Sequence, residues 1–223
     1  MIAKQKHNLR LTLPTALAAA VLYCSWPLGY YLNPKASAHG LASELGAVGQ
    51  PYNWVFISTD VLTGLLVAVI AIVLWWWLGR PAIRWLQVAL LSYGVFGILT
   101  ALDASLPMHC TPSLTVCPPI QNDHILIVHG VASIAAAASL FISVSALWYA
   151  NRRERFQQLM LAVLALWGLF GLLSVLFFFV PGPGYLAQRY FIVLCSVWMV
   201  LLPVIVVKTL QVSKQVRVPQ KIR

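Results

Sequence analysis

Between Asp103 and Ser133, the segment DASLPMHCTPSLTVCPPIQNDHILIVHGVAS gathers Asp103, Asp123, His109, His124, His129 and the two thiols Cys110 and Cys117. The whole chain has five acidic residues, five His and four Cys, so proton-exchanging and metal-ligating groups are concentrated in one break between apolar runs. Asp60 and Arg189 stand apart, inside apolar runs of their own. Three chemistries fit these residue types. In the first, Arg189 neutralises Asp60 or Asp103 in a structural network, using the two parallel bonds that a planar guanidinium offers a carboxylate. In the second, Asp60, Asp103, His124, His129, Ser133 and Arg189 form a polar pocket for a lipid headgroup or small solute. In the third, Asp60, Asp103, His109, His124 and His129 serve as ligands or bases of a zinc-dependent hydrolase acting on a lipid amide or ester.

Helical spacing bears on the choice. At 100° per residue, His124 and His129 point about 140° apart and do not readily share one ion, unless His124 precedes the helix. His129 and Ser133 are four apart and share a face, where the serine hydroxyl can satisfy the imidazole. Cys110 and Cys117 flank a short loop and are expected to form a disulfide, because neither zinc-ligand spacing nor the redox spacing of two intervening residues is present. Cys24 and Cys195 lie within apolar runs and read as inert packing residues. No cofactor is expected, zinc being the exception under the hydrolase reading.

The elements that carry these residues follow from composition. Of 223 residues, 61% are hydrophobic and 9% charged, far below the roughly 25% charged content of soluble domains, which implies an integral membrane protein. A net charge of +10 would suit nucleic acid, but the basic residues are spread over short connections and termini without a basic, aromatic-interleaved face, so nucleic acid is excluded as a partner. With about 20 apolar residues per span, the chain reads as an all-α, polytopic six-helix bundle over residues 1–210. The spans are 11–32, 54–78, 85–106, 124–149, 158–180 and 187–210, with a basic, disordered tail at 211–223. The run at 11–32 is too long for the 7 to 15 apolar residues of a signal peptide, despite the Ala36-Ser37-Ala38 sequence after it. The fourth span, rich in Ala and Ser, is expected inside the bundle.

Orientation follows from the Lys and Arg distribution. Six spans place thirteen basic residues on one side and only Lys35 and Arg189 on the other, so both termini are expected in the cytoplasm and the protein in the plasma (inner) membrane. Asp60 lies six residues from Trp54, about 9 Å in from the outer boundary. Asp103, Arg189, His124 and His129 fall in the same outer third. A carboxylate at that depth costs roughly 2.5 to 3.5 kcal/mol on insertion scales, so Asp60 should face protein or water, above a small-residue stripe of Thr63, Gly64, Val67, Ala68 and Ala71.

Glu44-Leu45-Gly46-Ala47 ahead of Trp54, the acid at Asp60, the His-bearing start of the fourth span and Gln188-Arg189 at the sixth carry a resemblance over nearly the whole chain. The sequence resembles a prokaryotic six-span family of uncharacterised proteins that looks related to the eukaryotic DRAM and Sfk type membrane proteins. It is also similar to seven-span ceramidase-like hydrolases that use Ser, Asp and His near one face. The first resemblance implies the six-span count; the second implies hydrolysis at a metal.

Overall fold

The computed structural model describes residues 2–78, 83–115, 124–151, 157–179 and 184–217, and among them every regular element is helical. Helix α1 spans Ile2–Tyr23. It stops there because Pro27 has no N–H to return to the Tyr23 carbonyl. The chain then turns through a 3-10 segment at Trp26–Leu28, two short helices, α2 (Gly29–Leu32) and α3 (Pro34–His39), and a second 3-10 turn at Ala42–Gly46. The apolar run 11–32 is therefore not one helix, since Cys24 to Leu32 belong to a cap rather than to α1.

The long helices that follow are α4 (Asn53–Leu78), α5 (Arg84–Ala104), α6 (His124–Ala150), α7 (Gln157–Phe179) and α8 (Gly184–Arg217). Among the described residues four segments are long and apolar enough to cross a membrane: Asn53–Trp77, Arg84–Ala104, His124–Ala150 and Tyr185–Leu210. Within α7 the apolar helical stretch is Leu161–Leu173. Helix α8 continues past Leu210 to Arg217, so the start of the basic tail is helical rather than disordered.

Successive long helices pack on one another, and α8 returns to α1, closing the bundle into a ring. Its centre is filled by Tyr93, Phe96, Leu140, Trp198 and Met199. Polar side chains join helices inside this apolar core. Thr63 Oγ1 donates to the Ala19 carbonyl, Tyr93 Oη to the Met199 carbonyl at 3.2 Å and Ser143 Oγ to the Ala89 carbonyl at 2.8 Å. Rings of Phe141, Trp167 and Phe191 stack in series across α6, α7 and α8, with centroids 5.6 and 5.3 Å apart. The opposite faces present Leu65, Ile72, Ile98, Val131 and Leu172 outward, as an apolar belt suited to lipid.

Helices α4 and α5 cross closely, with Gly64 and Gly97 meeting backbone to backbone. A Cβ at Gly97 would lie 2.6 Å from the Gly64 carbonyl oxygen and 2.7 Å from the Ala68 nitrogen. This is the small-residue packing that lets helices approach without a hydrophobic driving force. Helix α6, expected inside the bundle for its Ala and Ser content, is instead the least buried of the four spanning helices. Its small residues Ala132, Ala136, Ser143 and Ala146 form one buried stripe, while Val131, Ile134 and Ile142 leave its other side exposed.

Candidate functional site

The crossing of α4 and α5 decides where the acids meet. Asp60 stands one turn along α4 from Gly64, and Asp103 lies near the end of α5 beyond Gly97 and Ala101. Close approach at the glycines brings both carboxyl groups to one cavity of about 40 Å3. Its walls are Phe56, Ile57 and Asp60 of α4, Asp103 and Ala104 of α5, Pro107 after it, His129 of α6, and Ala42, Ser43 and Gly46 from the cap.

Asp103 is the hub. Ser133 Oγ lies 2.9 Å from each of its carboxylate oxygens, and His129 Nδ1 lies 3.1 Å from Oδ1. The same ring nitrogen is 3.2 Å from the carbonyl oxygens of Asp103 and Leu106. Three oxygens around Nδ1 assign a proton to it, which leaves Nε2, on the other edge of the ring, without a partner among the described residues. The carboxyl of Asp60 likewise has no hydrogen-bond partner among them. His129 and Ser133 do share a face of α6, yet each turns to Asp103 rather than to the other.

This arrangement limits the chemistry. A serine nucleophile needs a base to take its proton, and in the Ser-His-Asp relay that base is the imidazole. Here the Ser133 hydroxyl is committed to Asp103. The described residues do not accommodate zinc either. Among the described residues no three His, Cys, Asp or Glu side chains come together in a way that could hold a metal ion. Of the five candidate ligands, Asp60, Asp103 and His129 share the cavity, whereas His109 is exposed in the cap and His124 is exposed as the first residue of α6.

Arg189 lies elsewhere. Its guanidinium donates to Tyr30 Oη and the Ser37 carbonyl, both at 2.7 Å, and to the Gly40 carbonyl at 3.0 Å. It sits 5.1 Å from the ring centroid of Trp26, 5.5 Å from that of Tyr30 and 5.2 Å from that of Tyr185. Carbonyl dipoles and π faces thus stand in for a counter-ion. Among the described residues neither Asp60 nor Asp103 comes within ion-pairing distance of Arg189, so the Arg–Asp network expected from sequence is not formed.

Arg189 is one of several fasteners that hold the cap over the cavity. Gln188 Oε1 accepts from the Ala42 N–H at 2.7 Å. Glu44, buried, accepts from the Leu41 N–H at 3.0 Å and from both the N–H and the hydroxyl of Ser113. Asn33 Nδ2 donates to Gln50 Oε1, and Gln50 Nε2 to Thr111 Oγ1, each at 2.8 Å. The segment after α1 is thereby stitched to the segment after α5 and to the start of α8. Glu44 was not among the residues singled out for the site, although an acid in a Gly-rich connection was the available signal. Cys24 and Cys195 are free cysteines. Cys24 Sγ lies 3.2 Å from Ser196 Oγ, and the Trp167 indole donates to Cys195 Sγ at 3.3 Å. The expected partner of Cys110, Cys117, lies outside the described residues.

Apolar helices of spanning length and a belt of outward aliphatic side chains define a multi-pass membrane protein. The chain belongs to the family described as "Protein of unknown function (DUF998)", whose model matches residues 16–205. No curated protein and no solved structure matches the chain.

Proposed function

We propose that this protein binds a lipid headgroup or small polar solute at the Asp60–Asp103–His129 cavity, on the outward side of the plasma (inner) membrane. The observation that carries this reading is Asp60. An acid on a spanning helix, without a protein partner among the described residues and facing a cavity, is held at a cost that packing alone does not require. Arg189 gives three hydrogen bonds to the cap through its two terminal nitrogens, its buried Nε having no partner among the described residues, and Glu44 accepts three; both serve structure. Asp103 and His129 line the site with Asp60, and Ser133 holds Asp103 in place.

In this reading α1 and α7 also cross the bilayer, giving six spans with both termini in the cytoplasm. The thirteen-to-two distribution of Lys and Arg supports that orientation. The capped end then faces outward, where a Cys110–Cys117 bridge would tie down the segment that Glu44 grips. Kinship with the DRAM and Sfk type proteins rests on the sequence motifs quoted above. The test is accessibility. A Ser43→Cys variant, with wild type as background, should react in intact cells with a small membrane-impermeant thiol reagent. Reaction only after permeabilisation would reverse the orientation, and no reaction at all would close the site.

A further inference from the structure

We infer that the cavity takes a primary ammonium group, carried by a lipid such as one with an ethanolamine headgroup or by a free small amine. The inference rests on the binding reading above and concerns what the site selects. Size comes first. One water needs roughly 10 to 15 Å3 in the measure in which this cavity has about 40 Å3, so it holds about three waters. That suits one small polar head.

The polar lining comes second. Asp60 offers two acceptor oxygens with no partner among the described residues, and Asp103 retains lone pairs beyond those used by Ser133 and His129. His129, 9% exposed, directs Nδ1 at Asp103 Oδ1 and two carbonyl oxygens. Neither Lys nor Arg lines the cavity. The complement of a small, acidic, acceptor-rich space is a small cation that only donates. An ammonium group has three donors and no acceptor. A trimethylammonium group has the charge but no N–H and is too bulky, whereas a carboxylate or phosphate would bring acceptors to acceptors.

The experiment uses the full-length protein in detergent, with ligand-dependent thermal stabilisation and calorimetric titration as readouts. The probes are ethanolammonium chloride, choline chloride and ethylene glycol. Ethanolammonium should bind saturably, choline at least about tenfold more weakly, and glycol not measurably, since charge-assisted bonds are the stronger ones. Asp60→Asn should weaken ethanolammonium at least about tenfold. Should that variant fold poorly, Gly46→Ala serves instead. A Cβ there meets only Ile57 Cγ1, at an ordinary 3.5 Å, so the fold is kept while the cavity narrows and binding falls. Nanodiscs separate the two sources. If lipid is the donor, ethanolamine phospholipid should compete away free ethanolammonium, while choline phospholipid should not; for a free amine, binding persists in both.

Equal binding of choline or glycol would overturn the ammonium assignment while leaving a binding site in place. Failure of all three probes would overturn it too, and labelling at Ser43→Cys would then show separately whether the cavity is open.

Discussion

The Gly64–Gly97 contact yields the sharpest test of how the site is assembled. A methyl group on Gly97 would lie 2.6 Å from the Gly64 carbonyl oxygen, where ordinary contact begins at 3.4 Å. The obstructing atoms are backbone, so no rotamer change relieves the overlap and α4 and α5 must separate by about 0.8 Å, the difference between those two distances. Overpacking of this kind costs roughly 1 to 3 kcal/mol. For a chain of this size each 1 kcal/mol moves the melting temperature by roughly 2 to 4 °C, so Gly97→Ala should lower it by roughly 2 to 12 °C. Gly64→Ala should do the same, as its Cβ would lie 2.6 Å from the Ala101 nitrogen. Once one methyl has parted the helices the second meets less resistance, so the double variant should lose less than the sum. Controls are Gly130→Ala and Gly168→Ala, where a Cβ meets nothing within 4 Å, and helix propensity favours Ala by roughly 1 kcal/mol. Melting in detergent followed by fluorescence-detected gel filtration reads all five. Equal tolerance of Ala at Gly97 and Gly130 would refute the close crossing, as would strict additivity of the pair.

The cap supplies further expectations. Glu44→Gln should destabilise by about 2 kcal/mol, because hydrogen bonds to a charged acceptor are replaced at a buried position; a melting temperature within error of wild type would contradict the role given to Glu44. Arg189→Lys should fail to rescue the loss seen in Arg189→Ala, since an ammonium cannot span Tyr30, Ser37 and Gly40 as the fork does; full rescue in the same assay would mean that charge alone matters. Asp60→Asn and Arg189→Gln should be additive within roughly 0.5 kcal/mol, because the two side chains share no partner, and strong coupling in that double-mutant cycle would restore the ion pair. Cys110 and Cys117 should resist alkylation until reductant is added, and free labelling of both, read by mass spectrometry, would exclude the bridge.

Hydropathy made the spanning helices legible, because lipid imposes one rule on every residue of a span. It misled at α1, where the apolar run continues past a proline that ends the helix; at α6 it was the Ala and Ser content that pointed inside the bundle, whereas those residues form one buried stripe. The four-residue spacing of His129 and Ser133 correctly put them on one face. Their common partner was out of reach, since the register of α6 against α5 is set by many weak contacts that no single residue announces. Arg189 shows the deeper limit. Its partners at Ser37 and Gly40 are backbone carbonyls, which every residue possesses, so the sequence offers acids as the apparent answer. Glu44 escaped for the same reason, as two of its three donors are backbone N–H groups.

The closure of α8 onto α1 has a consequence for synthesis. A ribosome delivers the helices in chain order, and α1 meets α4 early, yet its other neighbour, α8, emerges only after α5, α6 and α7. Until then Trp26, Tyr30, Ser37, Gly40 and Ala42 lack Gln188 and Arg189, and the lid over the acids is fastened on one side, by Glu44 and Gln50 to the segment after α5. Translation of α8 is therefore the step that completes the lid over the cavity, and a chain stopped before it would leave an acid on α4 under a half-fastened cover.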